Sequence, residues 1–151
     1  DEKEFLLESG DVDGSKNWIS QGLVGDKAVV MANLIVGGKS MGGRIASMVA
    51  DEVGVAGLVC LGYPFHPPGK PEKLRNEHLE TLKTPALILQ GERDTFGNRE
   101  EVGAYTLSRS IRVDFLPDGD HDLKPRKASG RTREDNWRSA IEAVQAFSRA
   151  L

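Results

Sequence analysis

The chain has a single cysteine, Cys60, so no disulfide can close within it, and a reducing compartment is the expected setting. It has no excess of basic residues: 20 Lys and Arg stand against 23 Asp and Glu, a net charge of −3. Nucleic-acid binders usually carry the opposite balance, so no nucleic-acid partner is expected. No apolar run is long enough to span a bilayer, and no charged-then-apolar leader opens the sequence. No membrane partner is expected, and the localisation read from these features is cytoplasmic. Internal repeats and low-complexity stretches are absent, and no metal or cofactor is expected. At 151 residues the chain is one domain of ordinary size, which hides roughly 70% of its unfolded surface.

What the sequence does have is alternation. From Asn33 onward, short apolar runs alternate with helical patterns. "NLIVG", "GLVCLGY", "PALILQG" and "IRVDFLP" read as strands. Between them, Ile45, Met48, Val49 and Val53 recur at helical spacing, with Gly54 where a C-cap belongs. "PEKLRNEHLETLK" reads as a short helix with Pro71 in its first turn. Asn98 with Glu101, and Thr132 with Asp135, are capping patterns for two more helices. The last helix offers Trp137, Ile141, Val144, Phe147 and Leu151 as its apolar face. This order predicts an α/β fold, a mostly parallel sheet with helices on both faces. Residues 33–151 form that core. Residues 1–32 are an atypical N-terminal segment: "KEFLLES" fits a strand or one helical turn, and "NWISQGLVGDKAVVMA" is weakly helical and glycine-interrupted.

After the first predicted strand the chain spends four glycines, Gly37, Gly38, Gly42 and Gly43, around Ser40. Glycine inside an element costs stability, so the cluster needs a reason. A phosphate-binding loop needs G-x-x-x-x-G-K-[ST], and counting back from Gly38-Lys39-Ser40 places Asn33 where its first glycine should stand. Gly38-Lys39-Ser40-Met41-Gly42 instead reads G-x-S-x-G between a strand and a helix, the context of a nucleophile elbow. On that reading Gly38 and Gly42 are glycine because a side chain would collide with neighbouring backbone. The helix starting at Met41 aims its amino end at the serine, where its N–H groups favour an oxyanion.

A serine nucleophile needs a base, and the base needs an orienting acid. In parallel sheets function gathers at the carboxyl ends of the strands. Asp94 follows the third of these strands and His121 the fourth, which gives the chain order Ser, Asp, His. Loop histidines are more often plain surface residues, and Asp94 could simply cap a turn; three such residues at three strand ends in this order favour the triad. His66, in a proline-rich loop, reads as a pocket residue, and His78 as a surface residue in mid-helix. Asp118, Asp120 and Asp122 read first as turn formers. Lys39, Tyr63, His66, Arg93 and Phe96 are the candidate substrate-pocket residues. With Lys70, Lys124, Arg126 and Lys127, the basic members form either a locally basic mouth for anionic esters or a solvated rim.

With these residues assigned, "GGKSMGGRIASMVADE", "GLVCLGYPFHPPGKPEKLR", "TPALILQGERDTFG" and "DGDHDLKPRKASGRT" resemble the α/β-hydrolase fold, in its dienelactone-hydrolase-like group. They are similar to a bacterial set of α/β-family hydrolases related to a eukaryotic chromatin-complex subunit. The resemblance covers Asn33 to Leu151. It implies Ser40 as nucleophile, Asp94 as acid, His121 as base and the Met41 N–H as one oxyanion donor. It also implies a carboxylic ester substrate, with a non-catalytic scaffold as the alternative. In the full fold four strands precede the nucleophile strand, and the loop after the third supplies the second oxyanion donor. The 32 residues before Asn33 are too few for that, so the expectation is a truncated α/β-hydrolase fold whose nucleophile strand lies at an edge. Either residues 4 to 8 fold back along it or two chains associate across it; homo-oligomerisation is the expectation.

Overall fold

The structure, a computed structural model, describes residues 19–24, 27–32 and 34–151. The chain divides into two units, Asp1–Asn33 and Leu34–Leu151. In the first, β1 (Ile19–Val24) and β2 (Lys27–Ala32) form an antiparallel hairpin, Ile19 opposite Ala32 and Val24 opposite Lys27. This corrects the weakly helical reading of the segment. Gly25-Asp26 is a two-residue hairpin signal, and the β-branched pair Val29-Val30 prefers a strand. The Lys3–Ser9 stretch and residues 4 to 8 lie outside the described residues.

The second unit is a parallel sheet of four strands: β3 (Ile35–Lys39), β4 (Gly57–Leu61), β5 (Ala86–Gly91) and β6 (Ile111–Leu116), side by side in sequence order. The register sets Gly38 beside Cys60, Leu61 beside Leu89, and Gly91 beside Leu116, so the carboxyl ends fall level. Among the described residues β3 has a strand partner only on its β4 side. Strand side chains alternate between the two faces. On one face Leu58, Cys60, Ala86 and Ile88 join Tyr63, Phe65 and Leu79 in a buried cluster. On the other, Leu87 and Leu89 meet Leu116, Leu123, Ala140 and Phe147.

Helix α1 (Met41–Val53) covers the first of these faces and ends on Gly54, which takes the left-handed conformation with φ 70°. It turns its small residues, Gly43, Ser47 and Ala50, to the sheet. Ile45, Met48, Val49 and Val53, which carry the helical spacing, are exposed. The close approach explains the choice: a Cβ on Gly43 would stand 2.7 Å from the Gly38 carbonyl oxygen and 3.1 Å from Cys60 Cβ. Helix α2 (Arg99–Gly103) and helix α3 (Arg133–Ala150) both start on the expected capping boxes, Asn98 with Glu101 and Thr132 with Asp135.

Two expectations are corrected, the second in part. The helix expected over Pro71–Lys83 is only a 3₁₀ turn at Glu77–Glu80. The Arg75 N–H is spent on the Phe65 carbonyl at 2.8 Å, and the Asp51 carboxylate takes the N–H groups of Lys83 and Thr84 at 2.8–3.1 Å. On α3 the expected face is met in part: Val144 and Phe147 pack against the sheet, but the fully buried residues are Asn136 and Ala140, and Ile141 is exposed. Asn136 faces inward because its amide donates to the carbonyls of Pro117 and Leu123 at 3.0 and 2.8 Å, tying the helix to the loop after β6. No helix among the described residues is long and apolar enough to cross a membrane.

Candidate active site

Ser40 sits between β3 and α1 with φ 50° and ψ −118°, a left-handed conformation that costs a non-glycine residue about 1–3 kcal/mol. Two backbone bonds hold it there. Its N–H donates to the Leu61 carbonyl at 2.9 Å, and its carbonyl accepts the Arg44 N–H at 3.1 Å. The turn is tight: a Cβ on Gly38 would lie 2.6 Å from the Gly42 carbonyl carbon and 2.7 Å from the Gly43 nitrogen. The expected collision at Gly42 is not found, since a Cβ there meets nothing within 4 Å among the described residues. Gly43, against Gly38, is the glycine on the helical side that close packing requires.

The turns after β5 and β6 bring two more side chains to the serine. His121 Nε2 is 2.9 Å from Ser40 Oγ, and His121 Nδ1 is 2.8 Å from Asp94 Oδ2. Asp94 is wholly buried. Its Oδ1 accepts the Phe96 N–H at 2.8 Å, and its Oδ2 also accepts the Gln90 side-chain amide at 2.9 Å. A buried carboxylate without such donors would be costly. Because Oδ2 accepts, His121 Nδ1 carries the proton and Nε2 is left to accept from the serine hydroxyl, a tautomer assigned from this network.

The histidine loop lies directly on glycines. Gly91 passes under it so closely that a Cβ would be 2.2 Å from the Asp120 carbonyl oxygen. Gly62, at φ 62°, would put one 2.7 Å from the His121 carbonyl oxygen. Asp120 shapes the loop by accepting the N–H groups of Asp122 and Lys124 at 2.9 and 3.0 Å, the turn-forming role expected of it.

The other candidate residues divide. Phe96 stacks on the His121 ring, centroids 4.2 Å apart and planes 30° apart, and it is half-buried. Lys39 donates to the His121 carbonyl at 2.8 Å and pairs with Asp122 at 2.9 Å, which holds that carboxyl below its usual range. Arg93 pairs with Asp118 at 2.9 Å. Arg126 pairs with Asp118 too, and its hydrogen bonds push that carboxyl down to about 2. Three cations of the expected basic mouth are therefore engaged by aspartates of the histidine loop. Lys70, Lys124 and Lys127 are exposed.

Tyr63, expected in the pocket, is wholly buried in the core against Phe65, centroids 4.7 Å apart. His66 is buried as well, between the Pro67 carbonyl at 2.9 Å and Glu101 at 3.4 Å. It supports the start of α2 rather than lining an opening. His78, expected at the surface, is half-buried. Ser47 Oγ donates to the Arg44 carbonyl at 2.7 Å, so His78 Nε2 donates to Ser47 Oγ at 2.8 Å. The residue missed altogether is Gln90. Its only signal is a polar side chain inside the apolar run "ALILQG".

The amino end of α1 opens beside Ser40, where the first helical N–H groups, those of Met41 and Gly42, lack intrahelical partners. A strained serine, a histidine within hydrogen-bond reach, a buried carboxylate behind it and the amino end of a helix in front form the arrangement that acyl transfer uses.

Solved structures share this fold. The esterase domain of a Rhodothermus marinus protein superposes with a TM-score of 0.56 at 18% identity, over 77% of this chain and 59% of that one. An alpha-beta serine hydrolase homologue from Coxiella burnetii gives 0.51 at 23% identity, over 80% and 50%. An esterase from Pyrococcus furiosus gives 0.52 at 18%, over 77% and 52%. The chain thus matches between half and three fifths of the length of each. A family model described as "Alpha/beta hydrolase domain" matches residues 16–149, reaching back past Asn33 into the first unit. With nearly its whole length inside that match, the chain belongs to the alpha/beta hydrolase family.

Proposed function

We propose that this chain is a serine hydrolase that cleaves small carboxylic esters through an acyl-enzyme on Ser40. The observation that carries the reading is the unbroken hydrogen-bond chain from Ser40 Oγ through His121 to buried Asp94. Ser40 Oγ attacks the ester carbonyl carbon as His121 Nε2 takes the hydroxyl proton. The carbonyl oxygen becomes an oxyanion facing the Met41 N–H. Collapse breaks the bond to the alcohol oxygen, which leaves with the proton from His121. Water then repeats the sequence on the acyl-serine: His121 takes its proton, the acid is released and Ser40 recovers its hydrogen. Asp94 stays ionised throughout and stabilises the imidazolium.

Met41 supplies one oxyanion donor; a missing second donor would cost about 3 kcal/mol, or 10² to 10³ in rate. Phe96 and the half-exposed Met41 side chain give the acyl site an apolar wall. A small uncharged ester is the substrate class this favours, because Lys39, Arg93 and Arg126 are already paired. A cytoplasmic setting accords with a single cysteine kept as a buried thiol. The test is a burst of p-nitrophenol from p-nitrophenyl acetate, present in the native chain and lost in Ser40→Ala. A second reading, a non-catalytic interaction module, draws on the exposed apolar residues Ile45, Met48, Val49 and Val53 of α1. It predicts no burst from folded protein.

A further inference from the structure

Gln90 ends the apolar run of β5 fully buried, and every polar atom of its side chain has a partner. Its carbonyl oxygen accepts the Tyr63 N–H at 2.8 Å. Its two amide hydrogens go to the Gly97 carbonyl and to Asp94 Oδ2, both at 2.9 Å, and the Tyr63 carbonyl at 3.2 Å shares one of them. Those partners come from the end of β4 and from the turn that carries Asp94, so one side chain ties both to β5. The contact with Asp94 is the informative one. Oδ2 is the same oxygen that accepts His121 Nδ1–H, so the Gln90 amide and the imidazole share one acceptor.

We infer that Gln90 is a positioning residue for the triad. It fixes the rotation of the Asp94 carboxylate and sets how strongly that carboxylate holds the imidazole proton. A donor on Oδ2 draws negative charge toward itself. Removing it frees the carboxylate to turn, and whenever Oδ2 does face His121 it attracts the imidazolium more strongly. Catalysis therefore slows while the proton affinity of His121 rises. A glutamate at this position keeps the size but loses both amide hydrogens, and sets a second carboxyl against Asp94. An apolar residue of the same length removes the bond without adding charge.

The effect on turnover rests on the ester-hydrolase reading; the effect on His121 does not. In Gln90→Met, kcat should fall about ten- to a hundred-fold with KM little changed, the scale of a charge-assisted hydrogen bond. The acid limb of kcat/KM should move to higher pH. The His121 ring should titrate at higher pH by NMR in the same protein, whether or not it turns over ester. If Gln90→Met does not fold, the native chain still decides: the Gln90 side-chain amide resonances should move in Asp94→Asn, which keeps the shape but removes the charge. A folded Gln90→Met with the native His121 titration and native acid limb would overturn the inference, even with a lower melting temperature. So would Gln90 amide resonances that ignore Asp94→Asn. An inactive native chain whose His121 titration still responds to Gln90→Met would sink the ester reading and leave the positioning role standing.

Discussion

Gly91→Ala places one methyl group where the histidine loop passes over β5. The added Cβ would stand 2.2 Å from the Asp120 carbonyl oxygen and 2.5 Å from that of Gly119. Ordinary van der Waals contact begins near 3.4 Å, so backbone must give by roughly 1 Å. The strand has little room to move: β5 is buried along its whole length and paired on both sides. The loop yields instead, and His121 is the next residue after Asp120. Its 2.9 Å contact with Ser40 would open past the hydrogen-bond limit. Overpacking of this kind costs about 1–3 kcal/mol of stability, and a 1 Å misplacement of a reacting group about 10² in rate. Gly103→Ala is the control, because a Cβ there meets nothing within 4 Å among the described residues. The assay is kcat on p-nitrophenyl acetate, normalised to protein that remains folded by circular dichroism. A folded Gly91→Ala chain within about twofold of native kcat would refute the reasoning, since the loop would then tolerate a displacement that the geometry says it cannot.

Lys39→Met removes the strap from the Ser40 turn to the histidine loop, the bond to the His121 carbonyl and the pair with Asp122. Both partners are partly exposed, so stability should change by about 0–1 kcal/mol while kcat falls several-fold; thermal melts and initial rates separate the two. Burial, with Arg44 adding to it, pulls the His78 pKa below its usual 6.5. The unfolded chain therefore takes up a proton there that the folded chain refuses, and stability should fall as pH drops below about 6.5. Urea midpoints across that range should lose part of their slope in His78→Gln, and an unchanged slope would count against the assignment. Because β3 has a bare outer edge among the described residues, two chains should associate across it. Light scattering at micromolar concentration should give the mass of a dimer; a stable monomer contradicts this.

How far the sequence could be read follows the range of the forces involved. The strands of the sheet and both capping boxes are written in residues a few positions apart, and they stand where expected. The glycine-flanked turn at Ser40 is likewise local, and the order of Ser40, Asp94 and His121 names residues that the structure brings within hydrogen-bond reach. What escaped was set at long range. The Pro71–Lys83 segment looks helical until Asp51, 32 residues from Lys83, takes its backbone donors. On α1 the large apolar residues carry the periodic signal, yet the sheet admits only Gly43, Ser47 and Ala50, because Gly38 and Cys60 approach so closely. Tyr63 and His66 follow a strand as pocket residues do, but their loop turns inward and its polar atoms find Arg75, Pro67 and Glu101. Gln90 is one polar letter in an apolar run, and only the distance to Asp94 gives it meaning.

The central claim is that Ser40 is the acylated nucleophile, and the most direct measurement is to map a fluorophosphonate adduct by mass spectrometry. The account predicts one adduct per chain, on Ser40, absent in Ser40→Ala and strongly slowed in His121→Ala. Cys60 should stay unmodified, since burial pushes its thiol up to about 12. A folded chain that takes no adduct, or an adduct that persists in Ser40→Ala, would contradict it.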